Sequence, residues 1–411
     1  MTRFATRLIV AAALAMASTP ILAESAADDV RQGDGRVSGF YRWEDKIPTK
    51  PGALLRRESL PSVVGLKNAG RQERILYTST DGVTGAGAIA VSGALFVPSG
   101  TPPPGGWPLV SWGHGTVGVA DICAPSWQGR SYRDVRYLNR WLAEGFAVVA
   151  TDYQGLGTVG GHPLLNNRAA AFGILDAARA ALAADKTISN RVFIVGQSQG
   201  GAGAFAAAGF APDYAPEVKV LGTVATGVIY SPPGAKRGED KNLDVVDETI
   251  AYSFYSILSA IQHDPSIDPA AVFTEGALPL VDQARATCLF PLEADVVGLG
   301  LTRRKALRPE GAAITGRWFG SVVRYPTFKL SAPIFIGAGA TDGSTTANTQ
   351  MAIARAACAA GSVVEARVYA GQDHSGTVNQ SLTDSIPFVR HLLRGEAVAS
   401  NCSALPGPDP S

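Results

Sequence analysis

The chain has 411 residues, 46% of them hydrophobic and 17% charged, with a formal net charge of +1. That balance excludes a disordered chain, and near-neutrality without a basic run excludes a nucleic-acid partner. The length is ample for one large core or for a core carrying an inserted domain.

At the N-terminus, Arg3 and Arg7 precede a short apolar stretch (8–17), and Pro20-Ile21-Leu22-Ala23 has the look of a cleavage site. This is an export-signal pattern over residues 1–23, too short in its apolar part to span a bilayer comfortably. The expectation is a secreted or periplasmic protein. Residues 24–70 are polar, with Pro48, Pro51 and Gly52, and read as an irregular N-terminal extension wrapped on the core. Segments 74–78 and 88–97 read as strands, and 108–112 as another that ends in Gly113-His114-Gly115-Thr116. A helix over 137–144 leads to a buried strand at 146–151, which stops at Asp152-Tyr153. An alanine-rich segment, 168–184, has apolar positions at helical spacing.

Residues 192–195 (Val-Phe-Ile-Val) form a buried strand, and the small residues from Gly201 to Ala208 form a tightly packed helix. Between them lies Gly196-Gln197-Ser198-Gln199-Gly200, the one G-x-S-x-G in the chain. A serine on a sharp strand-to-helix turn presents its oxygen to solvent beside the free N–H groups of a helix N-terminus. Glycines at both ends let neighbouring backbone approach without clashing β-carbons. The pattern with this context predicts a nucleophile elbow.

A strand follows at 218–225. Between about 230 and 325 the alternation breaks: a charged loop (236–241), an aromatic amphipathic segment (250–261) and further helical stretches appear, with no clear strand. This block reads as a helical cap inserted above the sheet. Its aromatic segment could be a lid touching lipid or the core of the cap, and the second reading is preferred. Alternation resumes with a strand at 332–337 ending in Ala340-Thr341-Asp342, a helix at 348–360, a strand at 363–369, a loop holding His374 and a helix at 386–393. Strands alternating with helices predict an α/β protein, a mostly parallel sheet with helices on both faces. The expected parts are a signal (1–23), an extension (24–70), core (71–229), cap (230–325), core (326–400) and a tail (401–411).

A serine hydroxyl needs a base within hydrogen-bond reach, and the base needs an orienting carboxylate. Five histidines compete. His114 sits between glycines at a strand end and reads as structural; His162 precedes Pro163 in a loop; His263 lies in the cap; His391 falls on an amphipathic helix. His374 sits in a polar loop after the last strand, where a base could reach the elbow. Ser198, Asp342 and His374 follow the order nucleophile, acid, base. Asp373 adjoins His374 and is badly placed to orient that ring; Asp384 is a weaker rival, and Asp152 reads as a turn organiser. The oxyanion requires donors aimed in advance. The backbone N–H of Gln199 supplies one, and that of Thr116 the other, with Gly115 as the alternative. Trp112, Trp127 and Tyr153 are candidates for either an acyl pocket or plain core.

Cys123, Cys288, Cys358 and Cys402 make an even count, which in an exported chain fits two disulfides with three pairings open. No C-x-x-C cluster exists, so no metal site is expected.

The motifs Trp112-Gly113-His114-Gly115-Thr116 with Cys123-Ala124-Pro125-Ser126, the run Asp152-Tyr153-Gln154-Gly155-Leu156-Gly157, and His162-Pro163 resemble the secreted lipase family of α/β-hydrolases. Phe40-Tyr41, residues 51–56, 74–79 and 90–98 are similar as well, so the likeness extends over about residues 40–395. It implies the α/β-hydrolase fold with a cap, and hydrolysis of small-molecule or lipid esters through an acyl-serine without cofactor. It also implies the pairs Cys123–Cys288, tying the oxyanion loop to the cap, and Cys358–Cys402, tying down the C-terminus. One departure is Gln197, where lipases often carry His or Tyr; its side chain is expected to point away from the attacked carbon. The cap is the least similar part and sets the substrate. A serine peptidase or acyltransferase of the same fold, or a degenerate hydrolase serving as a binding protein, are the rival readings. Oligomeric state has no sequence signal.

Overall fold

The computed structural model describes residues 35–232 and 243–407; the expected export signal and the charged loop at 236–241 lie outside the described residues. Within them one sheet runs through the molecule. Its strands are β1 (Leu54–Ser59), β2 (Ala69–Thr80), β3 (Ala88–Pro98), β4 (Trp107–Gly113), β5 (Ala147–Thr151), β6 (Ile188–Gln197), β7 (Val220–Thr226), β8 (Ile334–Gly339) and β9 (Val364–Tyr369). They lie side by side in the order β1-β2-β3-β5-β4-β6-β7-β8-β9. The pairs β1–β2, β2–β3 and β3–β5 are antiparallel, and every pair from β5 to β9 is parallel.

Period-two alternation of side chains explains how each strand serves two cores. Leu109, Val149 and Ile194 point to one face, where they meet the helices α2 (Asn167–Ala184) and α3 (Gln199–Tyr214). Val110, Val148, Phe193 and Val195 point to the other, against α1 (Tyr132–Ala143) and a C-terminal helix, 382–393. Asn166 caps α2, accepting from the Ala169 N–H at 3.1 Å. The alanine and glycine content of α2 and α3 lets their backbones pack closely. A β-carbon on Gly203 would lie 2.9 Å from that of Ala170.

The block after β7 contains α4 (Ile250–His263), α5 (Leu278–Ala284), α6 (Leu289–Gly298) and α7 (Gly311–Val322). Among the described residues of this block the strand pairing consists of two isolated bridges, Val246 with Thr302 and Phe273 with Leu307. It has its own apolar core of Ile250, Phe254, Ile257, Phe273, Leu292 and Val296, which Val119 and Leu164 of the sheet domain join. The aromatic segment at 250–261 is therefore mostly interior. Cys123 is bonded to Cys288 across 165 residues, and Cys358 to Cys402 across 44. Beyond β8 lie α8 (Ala347–Ala359) and α9 (Leu382–Leu393), the second being the C-terminal helix already met.

One expectation fails. Residues 24–70 are not wholly irregular, because Leu54–Ser59 forms the edge strand β1. Its sequence, Leu-Leu-Arg-Arg-Glu-Ser, hides the alternation under charge, which is how exposed edge strands avoid pairing with other chains.

The Cys358–Cys402 bond closes a loop that contains β9 and α9 and should stabilise the fold by restricting the unfolded chain. Replacing both cysteines by serine is expected to lower the unfolding free energy by about 2–4 kcal/mol in denaturant titration. An unchanged midpoint would contradict that assignment.

Candidate active site

β6 runs straight into the turn at Ser198, which adopts φ +58° and ψ −119°. A non-glycine residue in this region is strained, and the neighbourhood must hold it there. It does so through close backbone approach. A β-carbon on Gly196 would overlap the Gly200 carbonyl, one on Gly200 the Gly113 carbonyl, and one on Gly201 the Thr226 carbonyl. The Ser198 N–H donates to the Thr226 carbonyl at 2.9 Å. The elbow is thus wedged between the ends of β4 and β7, and α3 starts immediately after it.

Asp342 lies in the turn after β8 and His374 in the loop after β9. Gly339 permits these loops to touch: a β-carbon there would come within 2.7 Å of the Asp373 carbonyl. The Thr341 N–H donates to the Gln372 carbonyl at 3.0 Å. His374 Nδ1 then lies 2.8 Å from Asp342 Oδ2. Asp342 also accepts from the N–H groups of Ser344 (2.9 Å) and Thr345 (2.8 Å), from the Thr345 hydroxyl (3.0 Å) and from Gln350 Nε2 (3.3 Å). Burial opposes its ionisation, but the His374 bond and charge and the Thr345 donors outweigh burial and hold the carboxyl below its usual range. The rival acids are engaged elsewhere. Asp373 accepts from the Ser375 and Gly376 N–H groups, and Asp384 from the Tyr369 hydroxyl at 2.8 Å.

An ionised Asp342 accepts only, so Nδ1 of His374 carries the proton and Nε2 presents a lone pair. The His374 ring and the elbow meet over Gly227. Where a β-carbon on Gly227 would sit, His374 Cε1 is 2.7 Å away and the Ser198 nitrogen 3.3 Å. Nε2 itself, however, engages Gln197 Nε2 at 3.0 Å. This corrects the expectation for Gln197. Its side chain does not point away; it lies between His374 and Gly115, leaving its own Oε1 buried without a partner. A Ser198–His374 hydrogen bond would require this amide to yield the imidazole nitrogen.

Gly115 passes over the elbow, with a hypothetical β-carbon 3.4 Å from Ser198 Cβ. The next residue, Thr116, donates its hydroxyl to Gln199 Oε1 at 3.1 Å. Asp152 is fully buried and organises this side of the site. It accepts from the Ser126 N–H (2.9 Å) and from the hydroxyls of Ser92 (2.7 Å) and Ser126. Trp112 and Tyr153 are 1% exposed and belong to the two sheet cores, so they line no open acyl pocket. Trp127 packs edge-on against Tyr41, their ring centroids 6.0 Å apart. His114 is interior too; burial brings it down to about 4, and its Nδ1 lies 2.6 Å from the Gly115 carbonyl. Among the described residues no cluster of His, Cys, Asp and Glu is suited to a metal.

Sequence reasoning singles out Gln197 but not its contact with His374, and it misses Thr345 and Gln350. Gln350 is distant from any motif and carries no signal.

No curated protein sequence matches the chain. The family model described as Secretory lipase matches residues 131–232. Among solved structures, the chain is similar to the closed state of Candida antarctica lipase A, at 18% identity and a TM-score of 0.68, covering 90% of this chain and 89% of that one. It is also similar to LipA of Xanthomonas oryzae, described as a rice cell wall degrading esterase, at 19% identity and a TM-score of 0.63 over 84% and 100% of the chains. A protein of Legionella pneumophila aligns at 16% identity and a TM-score of 0.65, over 84% and 99%. The fold is that of the α/β-hydrolases. The family match covers part of the chain and agrees with that fold.

Two tests follow from this geometry. Gln197→Leu removes the competing donor, so ester turnover should be retained or increased; a loss beyond about tenfold would mean that the amide itself serves the transition state. Gly200→Ala places a methyl on the Gly113 carbonyl and should abolish activity by distorting the elbow; turnover within about twofold of the parent would contradict the wedge.

Proposed function

We propose that the chain is an exported serine esterase or lipase in which Ser198, His374 and Asp342 form the catalytic triad. The observation that carries this reading is the strained Ser198 at the β6–α3 turn, with the Asp342-oriented imidazole of His374 meeting it over Gly227.

In this mechanism Ser198 Oγ attacks the ester carbonyl carbon while His374 Nε2 takes its proton. The developing imidazolium is stabilised by Asp342, which keeps Nδ1 protonated throughout. The carbonyl oxygen, now an oxyanion, receives the backbone N–H groups of Gln199 and Thr116. The first stands at the N-terminus of α3, where the helix dipole also favours negative charge. Collapse expels the alcohol, protonated by His374. Water, deprotonated by the same nitrogen, then attacks the acyl-serine and frees the acid. No cofactor takes part.

Residues 230–325 act as the cap over this site. Supporting this, Arg133 of α1 reaches the hydroxyl of Ser375, next to the base, at 3.5 Å, and the charge of Arg133 is felt by Tyr252 of α4. The substrate is a small-molecule or lipid ester. Phe290, Val297 and Leu299, at the exposed side and end of α6, are 66%, 51% and 59% accessible, and they favour transient contact with a lipid interface there rather than through segment 250–261. Residues 1–23 are the export signal, and two disulfides suit an oxidising compartment. A peptidase reading has no supporting observation here.

The purified protein should hydrolyse a short-chain chromogenic ester, and Ser198→Ala should abolish that rate. Asp342→Asn should lower kcat by about a thousandfold or more, because the imidazole loses its orienting acceptor. Equal rates for the parent and Ser198→Ala would reject the proposal.

A further inference from the structure

A second histidine stands on the other side of the elbow. His162 is 2% exposed, and its ring stacks over Tyr153 with centroids 6.0 Å apart. Its Nδ1 lies 2.9 Å from the Gln154 carbonyl and its Nε2 3.0 Å from Gln199 Nε2. A carbonyl can only accept, so Nδ1 carries the proton and Nε2 is a bare acceptor. Gln199 must therefore donate through its nitrogen. That choice turns its Oε1 outward, where it accepts the Thr116 hydroxyl. The polarity of the whole row, Thr116 to Gln199 to His162 to Gln154, follows from one backbone carbonyl. Burial holds the imidazole neutral by bringing it down to about 4, so the row keeps this polarity through the neutral range. The neighbouring titratable side chains are Tyr153, stacked on the ring, and His114, whose charge is coupled to it.

The two residues linked at the near end of this row are those whose backbone N–H groups are to receive the oxyanion. Gln199 opens α3, whereas Thr116 belongs to the loop after β4. The hydroxyl–amide bond ties the side chain of one to that of the other, beside the backbone packing of Gly115 and of Gly200 on the loop after β4. At the far end, His162 is held by the turn 153–161, in which Gly155 packs on the backbone of Gly161. The cap also rests here: Gln262 of α4 fills the space that a β-carbon on Gly161 would take, and Leu164 joins the cap core.

We propose that His162 is a positioning residue that fixes, through the side-chain amide of Gln199, the spacing of the Gln199 and Thr116 N–H groups that hold the oxyanion. The inference rests on the triad and oxyanion roles proposed above. An oxyanion donor acts only when aimed at the tetrahedral oxygen, and a misplacement on the order of 1 Å costs about a hundredfold in rate. His162 touches no reacting atom; its effect passes through Gln199.

The experiment compares the parent full chain with His162→Phe, His162→Gln, Gln199→Met, the double variant His162→Phe/Gln199→Met, and Ser198→Ala. The substrate is 4-nitrophenyl butyrate, and an alkyl trifluoromethyl ketone serves as an analogue of the tetrahedral adduct. His162→Phe keeps a ring on Tyr153 but removes the acceptor, and His162→Gln restores an oxygen near the position of Nε2. The expected result is a fall in kcat of about 10- to 100-fold for His162→Phe and for Gln199→Met, with KM within about threefold. Affinity for the ketone should fall in the same proportion. The double variant should be no worse than the poorer single one, and His162→Gln should recover to within about fivefold of the parent. The inference is overturned if His162→Phe keeps kcat within about twofold, or if the two single losses multiply in the double variant. If His162→Phe shows no cooperative melting, Gln199→Met alone decides, and an unchanged kcat overturns the inference. Activity that survives Ser198→Ala would instead overturn the reading of function on which it rests.

Discussion

The constraint on which the rest of this structure depends is the crowding of backbone around Ser198. Three glycines, Gly196, Gly200 and Gly201, allow carbonyls of β4, β7 and the elbow itself to approach where a β-carbon would collide. Only under that compression does a serine at φ +58° persist. The hydroxyl is then carried above the sheet, the first turn of α3 sits beneath it, and the loop after β4 passes alongside. Relaxing the turn would displace nucleophile and helix N-terminus together, since they are consecutive residues.

Around this point the loops at the C-terminal ends of the parallel strands are cross-bonded in two groups. On one side, β8 and β9 deliver Asp342 and His374, which are locked by backbone bonds between their loops and by the Thr345 and Gln350 side chains. On the other, Thr116, Gln199 and His162 form a row that ends on the Gln154 carbonyl. Gln197 lies between the groups, with its amide on His374 and its oxygen against Gly115. An amide carbonyl buried without a partner costs about 1–3 kcal/mol, so the inward position of this side chain is held at a cost.

Much of this was legible in the sequence, for identifiable reasons. Fully buried strands such as β6 read as short apolar runs between glycines, and α2 announced itself through alanine at helical spacing. Ser198, Asp342 and His374 each follow the C-terminal end of a strand, so their approximate position at that edge of the sheet followed from topology alone. The edge strand β1 was not legible, because Arg56, Arg57 and Glu58 dominate its short pattern. The inward turn of Gln197 was missed as well: local sequence does not specify on which side of an elbow a long amide will pack, and the space beside Gly115 decides it. His162 looked like a loop residue before proline. Its place against Gln199 arises from contact between segments 37 residues apart, which no local pattern encodes.

The central claim is that Ser198 is an activated nucleophile because His374 serves it. Labelling with a fluorophosphonate, followed by mass spectrometry of the digested protein, tests this without assuming any substrate. The account predicts one phosphonate per chain, on the peptide carrying Ser198, and its loss when His374 is replaced by alanine. Labelling elsewhere, or labelling of Ser198 at an undiminished rate in His374→Ala, would contradict it.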